Sequence, residues 1–224
     1  MGILSSQRLN EILIKSKYKN YNYFIETGTY TGRSIIPLAK NFIEIQFHTI
    51  EIVEELYFFA KDKASKQSIS NLHFYLGDSS LLLESIINNI KDQHIIIFLD
   101  AHSSSYGGYS AETIEKDSAE NFLSKIKNKI LGKKKKISTD IKINKLTDVE
   151  VPLLKELALI SKIKKNFLII IDDFDLFEKK FTFADWSNIK EKNIEKIFSN
   201  KIKNSFKMPK QGLNSPQLVL EIGD

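Results

Sequence analysis

The chain has 224 residues, a net charge of +5, 42% hydrophobic residues and no cysteine. This hydrophobic content supports a sizeable core and excludes wholesale disorder. The lack of cysteine excludes disulfides, thiolate metal sites and cysteine nucleophiles. No apolar run reaches the ~20 residues that a membrane-spanning helix needs, and the N-terminus lacks the apolar stretch of a secretory signal. We therefore expect a cytoplasmic protein without a membrane partner.

The surplus of basic residues does not indicate nucleic-acid binding. Of the 33 basic residues only Arg8 and Arg33 are arginines, whereas nucleic-acid readers depend on arginine for bidentate contacts to bases and phosphates. Nucleic acid is therefore not the expected partner. An attraction for an anionic small molecule stays open.

Short apolar runs alternate with amphipathic segments along most of the chain. The runs predict five strands, at 23–25, 47–50, 72–76, 95–99 and 167–171. Helices are predicted between them, at 34–40, 54–66, 81–90 and 151–163. Unbroken β-branched runs suit strands that are buried on both faces, and their alternation with helices predicts a doubly wound α/β fold.

The C-terminal part departs from this alternation. It reads as a helix at 185–198 followed by two strands, at 202–208 and 217–222, which a polar loop joins into a hairpin. The whole chain, 1–224, is therefore predicted to be one α/β domain with a mostly parallel sheet of seven strands.

Residues 103–150 interrupt the pattern directly after the fourth strand. They begin with a flexible Ser/Gly run at 103–109 and continue with a predicted helix at 112–130 and the lysine run Lys133–Lys136. Insertions of this length in a compact domain are usually lids or mobile segments. We expect a helical lid or substrate-binding segment here, with a solvated loop as the alternative for the lysine run.

Every one of the five predicted strands is closed by an acidic residue. Because parallel strands end at one edge of a sheet, and ligands bind there, the acids should gather in space. They are Glu26, Glu51, Asp78, Asp100 and the pair Asp172 and Asp173. The pattern predicts a ligand site at this edge.

The first three acids favour a nucleoside ligand with a cationic end. Glu26 opens a glycine-containing turn, and glycine lets the backbone approach a ligand closely, but a carboxylate there would repel a pyrophosphate. Glu51 follows Gly28 by a little over twenty residues and can accept both hydroxyls of a ribose. Asp78 can accept the amino group of adenine. S-adenosylmethionine fits these features better than NAD does.

The run Ile25–Ser34 resembles the first motif of class I S-adenosylmethionine-dependent methyltransferases. It is most similar to the metal-dependent O-methyltransferases of catechol and macrocin type. Glu51, Gly77–Asp78 and Leu99–Asp100 stand where later motifs of that family stand, and the terminal strand pair matches its last hairpin. The resemblance covers 20–100 and 150–224 and implies a Rossmann-like methyltransferase fold.

The resemblance also implies roles for single residues. Glu26, Gly28, Tyr30 and Ser34 would contact the methionine part of the cofactor, Glu51 the ribose, and Asp78 with Ser79 the adenine. The full implied cofactor set is Glu26, Thr27, Gly28, Thr29, Tyr30, Gly32, Ser34, Glu51, Asp78, Ser79 and Asp100.

A metal site is implied by the same resemblance, through Asp100, Asp172 and Asp173. It also follows from the residues, because three carboxylates at one edge repel each other and a hard cation such as Mg²⁺ relieves the repulsion. Such an ion would hold a substrate hydroxyl and lower its pKa. The alternative is that Asp172 or Asp173 caps a helix or binds loop amides.

The general base is predicted at His102, beside Asp100. The catechol-type enzymes carry a lysine base three residues after the first metal acid, and that position is Ser103 here. A histidine has an ordinary pKa near ~6.5 and is suited to the role; the alternative is a histidine that binds loop backbone. The predicted catalytic residues are His102 and Asp100, whereas His48, His73 and His94 are interpreted as structural.

Taken together, these features predict an O-methyltransferase that uses S-adenosylmethionine, assisted by Mg²⁺. The expected partner is a small molecule, either anionic or a sugar or secondary metabolite, contacted by the insertion and by the loop 174–186. A metal-dependent phosphoesterase and a catalytically silent cofactor-binding module stay as alternatives. No nucleophile elbow or phosphate-binding loop occurs. Oligomeric state stays open, with a homo-oligomer among the options.

Overall fold

The computed structural model describes residues 3–102, 151–181 and 184–223. Six α-helices and seven β-strands lie in these ranges. In chain order they are α1 (Ser6–Lys15), β1 (Tyr23–Thr27), α2 (Ile35–Asn41), β2 (Gln46–Glu51), α3 (Glu54–Ser65), β3 (Leu72–Leu76), α4 (Ser79–Asn89), β4 (His94–Leu99), α5 (Leu153–Ile160), β5 (Asn166–Ile171), α6 (Glu191–Phe198), β6 (Ile202–Met208) and β7 (Gln217–Ile222).

The seven strands form one sheet in the order β3-β2-β1-β4-β5-β7-β6. Strands β1 to β5 are parallel, whereas β7 is antiparallel to both β5 and β6 and lies between them. The predicted Rossmann-like, doubly wound α/β fold with a mostly parallel seven-stranded sheet is therefore confirmed.

Helices cover both faces of the sheet. Successive strand residues point to opposite faces, so Phe24 packs on the side of α1, α2 and α3, and its neighbour Ile25 packs on the side of α4, α5 and α6. Both side chains are fully buried. The sheet is thus the middle layer of three. Since helices cover both of its faces, a site can form at the carboxyl edge, from the loops that follow the parallel strands.

Two elements differ from the sequence-based expectation. Helix α1 was not predicted; Ser5 caps it through a bond from Arg8 N, and Leu9 and Ile12 bury its apolar side. The helix predicted at 185–198 begins only at Glu191, because Asp185 instead accepts hydrogen bonds from Ser187 N and Oγ and holds a turn there.

The predicted helical lid at 103–150, with its glycine-rich start and its lysine run, lies outside the described residues. Among the residues that are described, no helix combines the length and the apolar character needed to span a membrane.

Candidate active site

The strand register brings the acidic residues to one edge of the sheet. Thr27 at the end of β1 pairs with Ile50 of β2 and Leu99 of β4, and Leu99 pairs with Ile171 of β5. Glu51, Asp100 and Asp172 each follow one of these residues directly. The expectation that the strand-closing acids share an edge is met by this register.

The turn after β1 passes very close to the end of β4. Gly28 has a φ of +86°, and a Cβ at this position would lie 2.6 Å from the carbonyl oxygen of Asp100. A side chain is therefore excluded on two grounds, the left-handed backbone and the contact. The turn is tied to β2 by a bond from Gly28 N to Ile50 O, and it closes with a bond from Gly32 N to Thr29 O.

Glu26 is buried beneath this turn. Its Oε2 accepts a hydrogen bond from Thr49 Oγ1 at 2.7 Å, and Thr49 Oγ1 lies 2.6 Å from Thr29 Oγ1. Burial raises the pKa of Glu26 well above its ordinary value; the Thr49 bond opposes the rise, and the neighbouring carboxylates, Asp100 first, add to it. A cation at this point would favour the charged form of Glu26, with little competition from solvent.

Glu51 holds the backbone of the same turn. Its Oε2 accepts from Tyr30 N at 2.7 Å and its Oε1 from Val53 N at 2.9 Å. Burial raises the pKa of Glu51, and these backbone bonds oppose the rise. Tyr30 has a left-handed backbone with φ +51°, which is uncommon for a residue with a side chain and clusters at functional sites.

Two further residues of the predicted cofactor set have structural partners. Asp78 caps α4, because its Oδ1 accepts from Ser80 N at 2.8 Å. Ser34 Oγ accepts from Leu4 N at 3.0 Å and so fixes the segment before α1. Ser79, the first residue of α4, is buried with 6% of its surface exposed. Their contacts with a cofactor stay predictions.

Asp100, His102 and Asp173 form a compact cluster. His102 Nε2 lies 3.3 Å from Asp100 Oδ1 and 3.1 Å from Asp173 Oδ2, and one potential metal-ligating atom of each residue lies within 4.8 Å of the others. Burial disfavours charge on His102, but the bonds to the two carboxylates and their charges outweigh it and raise its pKa to about 10. The Trp186 ring stands edge-on to His102, with the centroids 5.2 Å apart.

Asp173 is held in position by more than His102. Its backbone is left-handed, with φ +50°, and its pKa is lowered because bonds from His102 and Ser215 outweigh the effect of burial. A charged carboxylate is therefore fixed beside His102. Ser215 was not predicted as a site residue, because the sequence of the loop between β6 and β7 does not indicate which strand end that loop approaches.

Asp172 lies outside that cluster. Its Oδ1 accepts from Gln217 Nε2 at 3.1 Å, and its Oδ2 is buried without a hydrogen-bond partner among the described residues. Burial and the charges of Asp100 and Asp173 raise its pKa well above the ordinary value. The predicted set of three acids thus shares Asp100 and Asp173 with the cluster, and the role of Asp172 as a ligand stays a prediction.

One buried acid near the site was not predicted. Glu156 lies on α5 with 1% of its surface exposed. Burial raises its pKa to about 7; the hydroxyls of Ser79 and Thr27 oppose the rise, and the charge of Asp78 adds to it. Its spacing from Leu153 and Ile160 was a usable signal, because it puts an acid on the buried side of an apolar helix.

Two solved structures with this architecture carry the name of an O-methyltransferase. A Staphylococcus aureus protein provisionally named a caffeoyl-CoA O-methyltransferase superposes with a TM-score of 0.53 at 13% identity, over 99% of this chain and 85% of that one. A Klebsiella pneumoniae protein, provisionally named an O-methyltransferase, gives 0.51 at 13% identity, over 98% and 81%. At this identity the likeness shows the fold, that of class I methyltransferases.

The sequence defines the family more closely. The profile of the O-methyltransferase family matches residues 6–180, which is more than half of the chain. No curated protein matches this chain. The chain therefore belongs to the O-methyltransferase family, the S-adenosylmethionine-dependent class that its first motif resembles.

Proposed function

We propose that this enzyme transfers a methyl group from S-adenosylmethionine to a hydroxyl of a small polar molecule, with Asp100, His102 and Asp173 at the reacting centre. The observation that carries the proposal is the position of this cluster. Asp100, the first member of the cluster, contacts the turn at Gly28. Gly28 has no side chain, and a Cβ at this position would lie only 2.6 Å from the carbonyl oxygen of Asp100.

The residues fit the cofactor by charge. Asp100 and Asp172 both raise the pKa of buried Glu26, and Asp100 also raises the pKa of Asp172. A ligand with cationic groups relieves this repulsion, and S-adenosylmethionine brings both an amine and a sulfonium that carries an electrophilic methyl group. Glu51 keeps free lone pairs for ribose hydroxyls, although each of its oxygens already accepts one backbone bond.

The proton of the substrate hydroxyl would pass to the cluster. In the arrangement described, His102 holds a proton between two carboxylates, so its Nε2 becomes a base only after giving that proton to Asp100, whose pKa burial raises. Nε2 then accepts the hydroxyl proton while the substrate oxygen bonds to the methyl carbon and the carbon–sulfur bond breaks. Asp173 keeps the imidazole oriented throughout.

The same residues fit a divalent cation. Asp100, His102 and Asp173 would hold it in place of the proton on His102, with the unpartnered Oδ2 of Asp172 nearby. In that form His102 would be a ligand and not the base. Such an ion would lower the pKa of a substrate hydroxyl. An imidazole among the ligands suits Mn²⁺ or Zn²⁺ better than Mg²⁺, which prefers oxygen. We therefore propose a metal-assisted reaction but not Mg²⁺ as the best match for this donor set.

We further propose a sugar or a small secondary metabolite as the substrate and the cytoplasm as the location. The substrate would lie against the loop after β5, because Trp186 and Phe177 of that loop stack on each other and Trp186 borders His102. The composition supports the location through the lack of cysteine and of any long apolar run.

Calorimetry with S-adenosylhomocysteine, with and without divalent cations, tests the cofactor and the metal together. Turnover is then followed with methyl-labelled S-adenosylmethionine and a panel of sugars and polyols. We expect micromolar cofactor binding that survives EDTA and turnover that EDTA abolishes. His102→Gln should abolish turnover, whereas Asp175→Asn, at the exposed acid two residues after Asp173, should leave it intact. A chain that binds no S-adenosylhomocysteine refutes the proposal.

A further inference from the structure

Two segments from opposite ends of the chain are bonded to each other. The residues at the start of α1 and before it, Ile3–Arg8, which we call the N-terminal segment, contact the loop between β6 and β7. Ile3 N donates a hydrogen bond to Leu213 O at 3.0 Å, and Ser5 N donates to Asn214 Oδ1 at 2.9 Å. Because Ser5 also caps α1, the first turn of this helix is fixed to the loop.

Arg8 strengthens this contact. It is one of only two arginines in the chain, and 1% of its surface is exposed. Its Nη2 donates to the carbonyl oxygen of Pro209, the first residue after β6, at 2.7 Å. A planar guanidinium group holds its N–H donors in fixed directions, so this buried bond keeps α1 and the start of the loop in one arrangement.

The N-terminal segment is also bonded to the turn after β1. Leu4 N donates to Ser34 Oγ at 3.0 Å in a buried hydrogen bond. A serine at the start of a helix normally accepts from an N–H group of its own first turn, but Ser34, at the start of α2, makes no such bond. Its hydroxyl group instead joins the N-terminal segment to the turn where the cofactor is proposed to bind.

The far end of the β6–β7 loop holds the residues around Asp173. Gln217 Nε2 donates to Asp172 Oδ1 at 3.1 Å, and Phe174 N donates to Pro216 O at 3.3 Å. Asp173 therefore stands between two residues that the loop anchors. Its left-handed backbone is uncommon for a residue with a side chain and depends on such support.

Asn214 joins these two sets of contacts. Two backbone bonds with Gln211, at 3.0 and 3.1 Å, close a turn that ends at Asn214, and Pro216 follows two residues later. We infer that Asn214 is a positioning residue: it anchors the loop to the N-terminal segment, so that the loop holds Asp172 and Asp173 in place relative to the turn after β1. The use of this arrangement in methyl transfer rests on the proposed function, whereas the arrangement can be tested without it.

The test of the arrangement is amide hydrogen exchange, followed by NMR, in the full chain and three variants. Asn214→Ala removes the acceptor of Ser5 N and should speed exchange of the Phe174 amide about fivefold, equivalent to the loss of one hydrogen bond at roughly 1 kcal/mol. Asn214→Asp keeps an acceptor oxygen and should restore the wild-type rate. Asn200→Ala, the same change at an exposed position, should have no effect. The Gly28 amide should exchange at the wild-type rate in every variant.

The competing explanation is that the N-terminal segment and α1 only complete the apolar core, where Leu4, Leu9 and Ile12 are buried. Turnover of methyl-labelled S-adenosylmethionine, with a substrate from the panel above, separates the two roles. In Asn214→Ala kcat should fall about tenfold or more, because small displacements of reacting groups are costly, while the Kd of S-adenosylhomocysteine stays unchanged. Asn214→Asp should recover kcat. A role in stability alone would lower the unfolding temperature without this split.

The outcomes keep this inference apart from the proposed function. A folded Asn214→Ala variant with an unchanged Phe174 exchange rate, or with unchanged kcat, overturns the inference alone. A wild type that binds no S-adenosylhomocysteine refutes the proposed function, and exchange at Phe174 then still decides whether Asn214 holds the loop. If Asn214→Ala does not fold, exchange in the wild type decides. Equal protection of the Ser5 and Phe174 amides supports the inference, whereas a Ser5 amide that opens far more often overturns it, because the loop then keeps its place without the N-terminal segment.

Discussion

Replacing Asp173 by asparagine should change the acidity of His102 in a way that can be measured directly. The pKa of His102 is about 10 because two carboxylates bind its proton. Asparagine keeps the size of Asp173 but removes one of the two charges. Removing an adjacent opposite charge lowers a pKa by about 1–3 pH units, which is about 1.4–4 kcal/mol of proton binding. We therefore expect the His102 pKa to fall to between 7 and 9, by the same principle.

The sign of the effect on stability follows. The folded-state pKa of His102 lies above its ordinary value of 6.5, so its contribution to stability is complete below that value and is lost as the pH rises through about 10. In Asp173→Asn the same loss should finish at lower pH. The free energy of unfolding of the variant should therefore lie below that of the wild type by the largest amount at mildly acidic to neutral pH, and the difference should shrink as the pH rises through the folded-state pKa values of His102 in the variant and in the wild type.

The assay is an NMR titration of the histidine ring signals of the metal-free protein. The chain has four histidines, and the His102→Gln variant assigns the signal in question. Asp175→Asn serves as the control, because it removes an exposed acid two residues away. A wild-type His102 that titrates near 6.5, or one whose pKa is the same in Asp173→Asn, would refute the account of the cluster.

Three further changes test other parts of the site. Glu51→Ala should weaken S-adenosylhomocysteine binding by about 1–3 kcal/mol in calorimetry, since charge-assisted bonds are lost; unchanged affinity would put the ribose elsewhere. Gly28→Ala should lower the free energy of unfolding by about 1–3 kcal/mol in denaturant titrations, because of the positive φ and the contact with Asp100 O. Asp172→Asn should raise the unfolding temperature of the metal-free protein at pH 8. Burial and like charges raise the pKa of Asp172, so ionisation of its carboxyl group destabilises the folded wild type as the pH rises. The stability that the variant gains should therefore vanish below about pH 4, where the group is neutral in the folded and in the unfolded chain. A wild type that is more stable than the variant at pH 8 would contradict this.

The parallel part of the fold was predictable because short runs rich in β-branched and aromatic residues mark its strands. The predicted run at 72–76 coincides with β3, and the two predicted tail strands coincide with β6 and β7. The strand-closing acids were predictable for the same reason, since their position at the edge depends only on where each strand ends. No knowledge of side-chain packing was needed for either.

The pairing among the acids was not predictable in this way. Whether Asp172 or Asp173 turns toward His102 depends on a left-handed backbone at Asp173 and on Gln217, which comes from a strand far along the chain. The turn at Asp185 was missed because a side-chain bond to Ser187 competes with the helix that the periodicity favours. Interactions between distant segments decide such points, and one sequence does not display them.

The place of β7 in the sheet has a consequence for how the enzyme is made. This strand follows all the others in the chain, yet it lies between β5 and β6 and supplies Gln217 to Asp172. When the ribosome has synthesised the chain only up to β6, the sheet still lacks an inner strand, and Asp172 still lacks its partner Gln217. Strands β1 to β5 can pair first, but β6 and the arrangement around Asp172 wait for the last strand. A nascent chain therefore cannot hold a fully assembled acid edge before translation has passed residue 222.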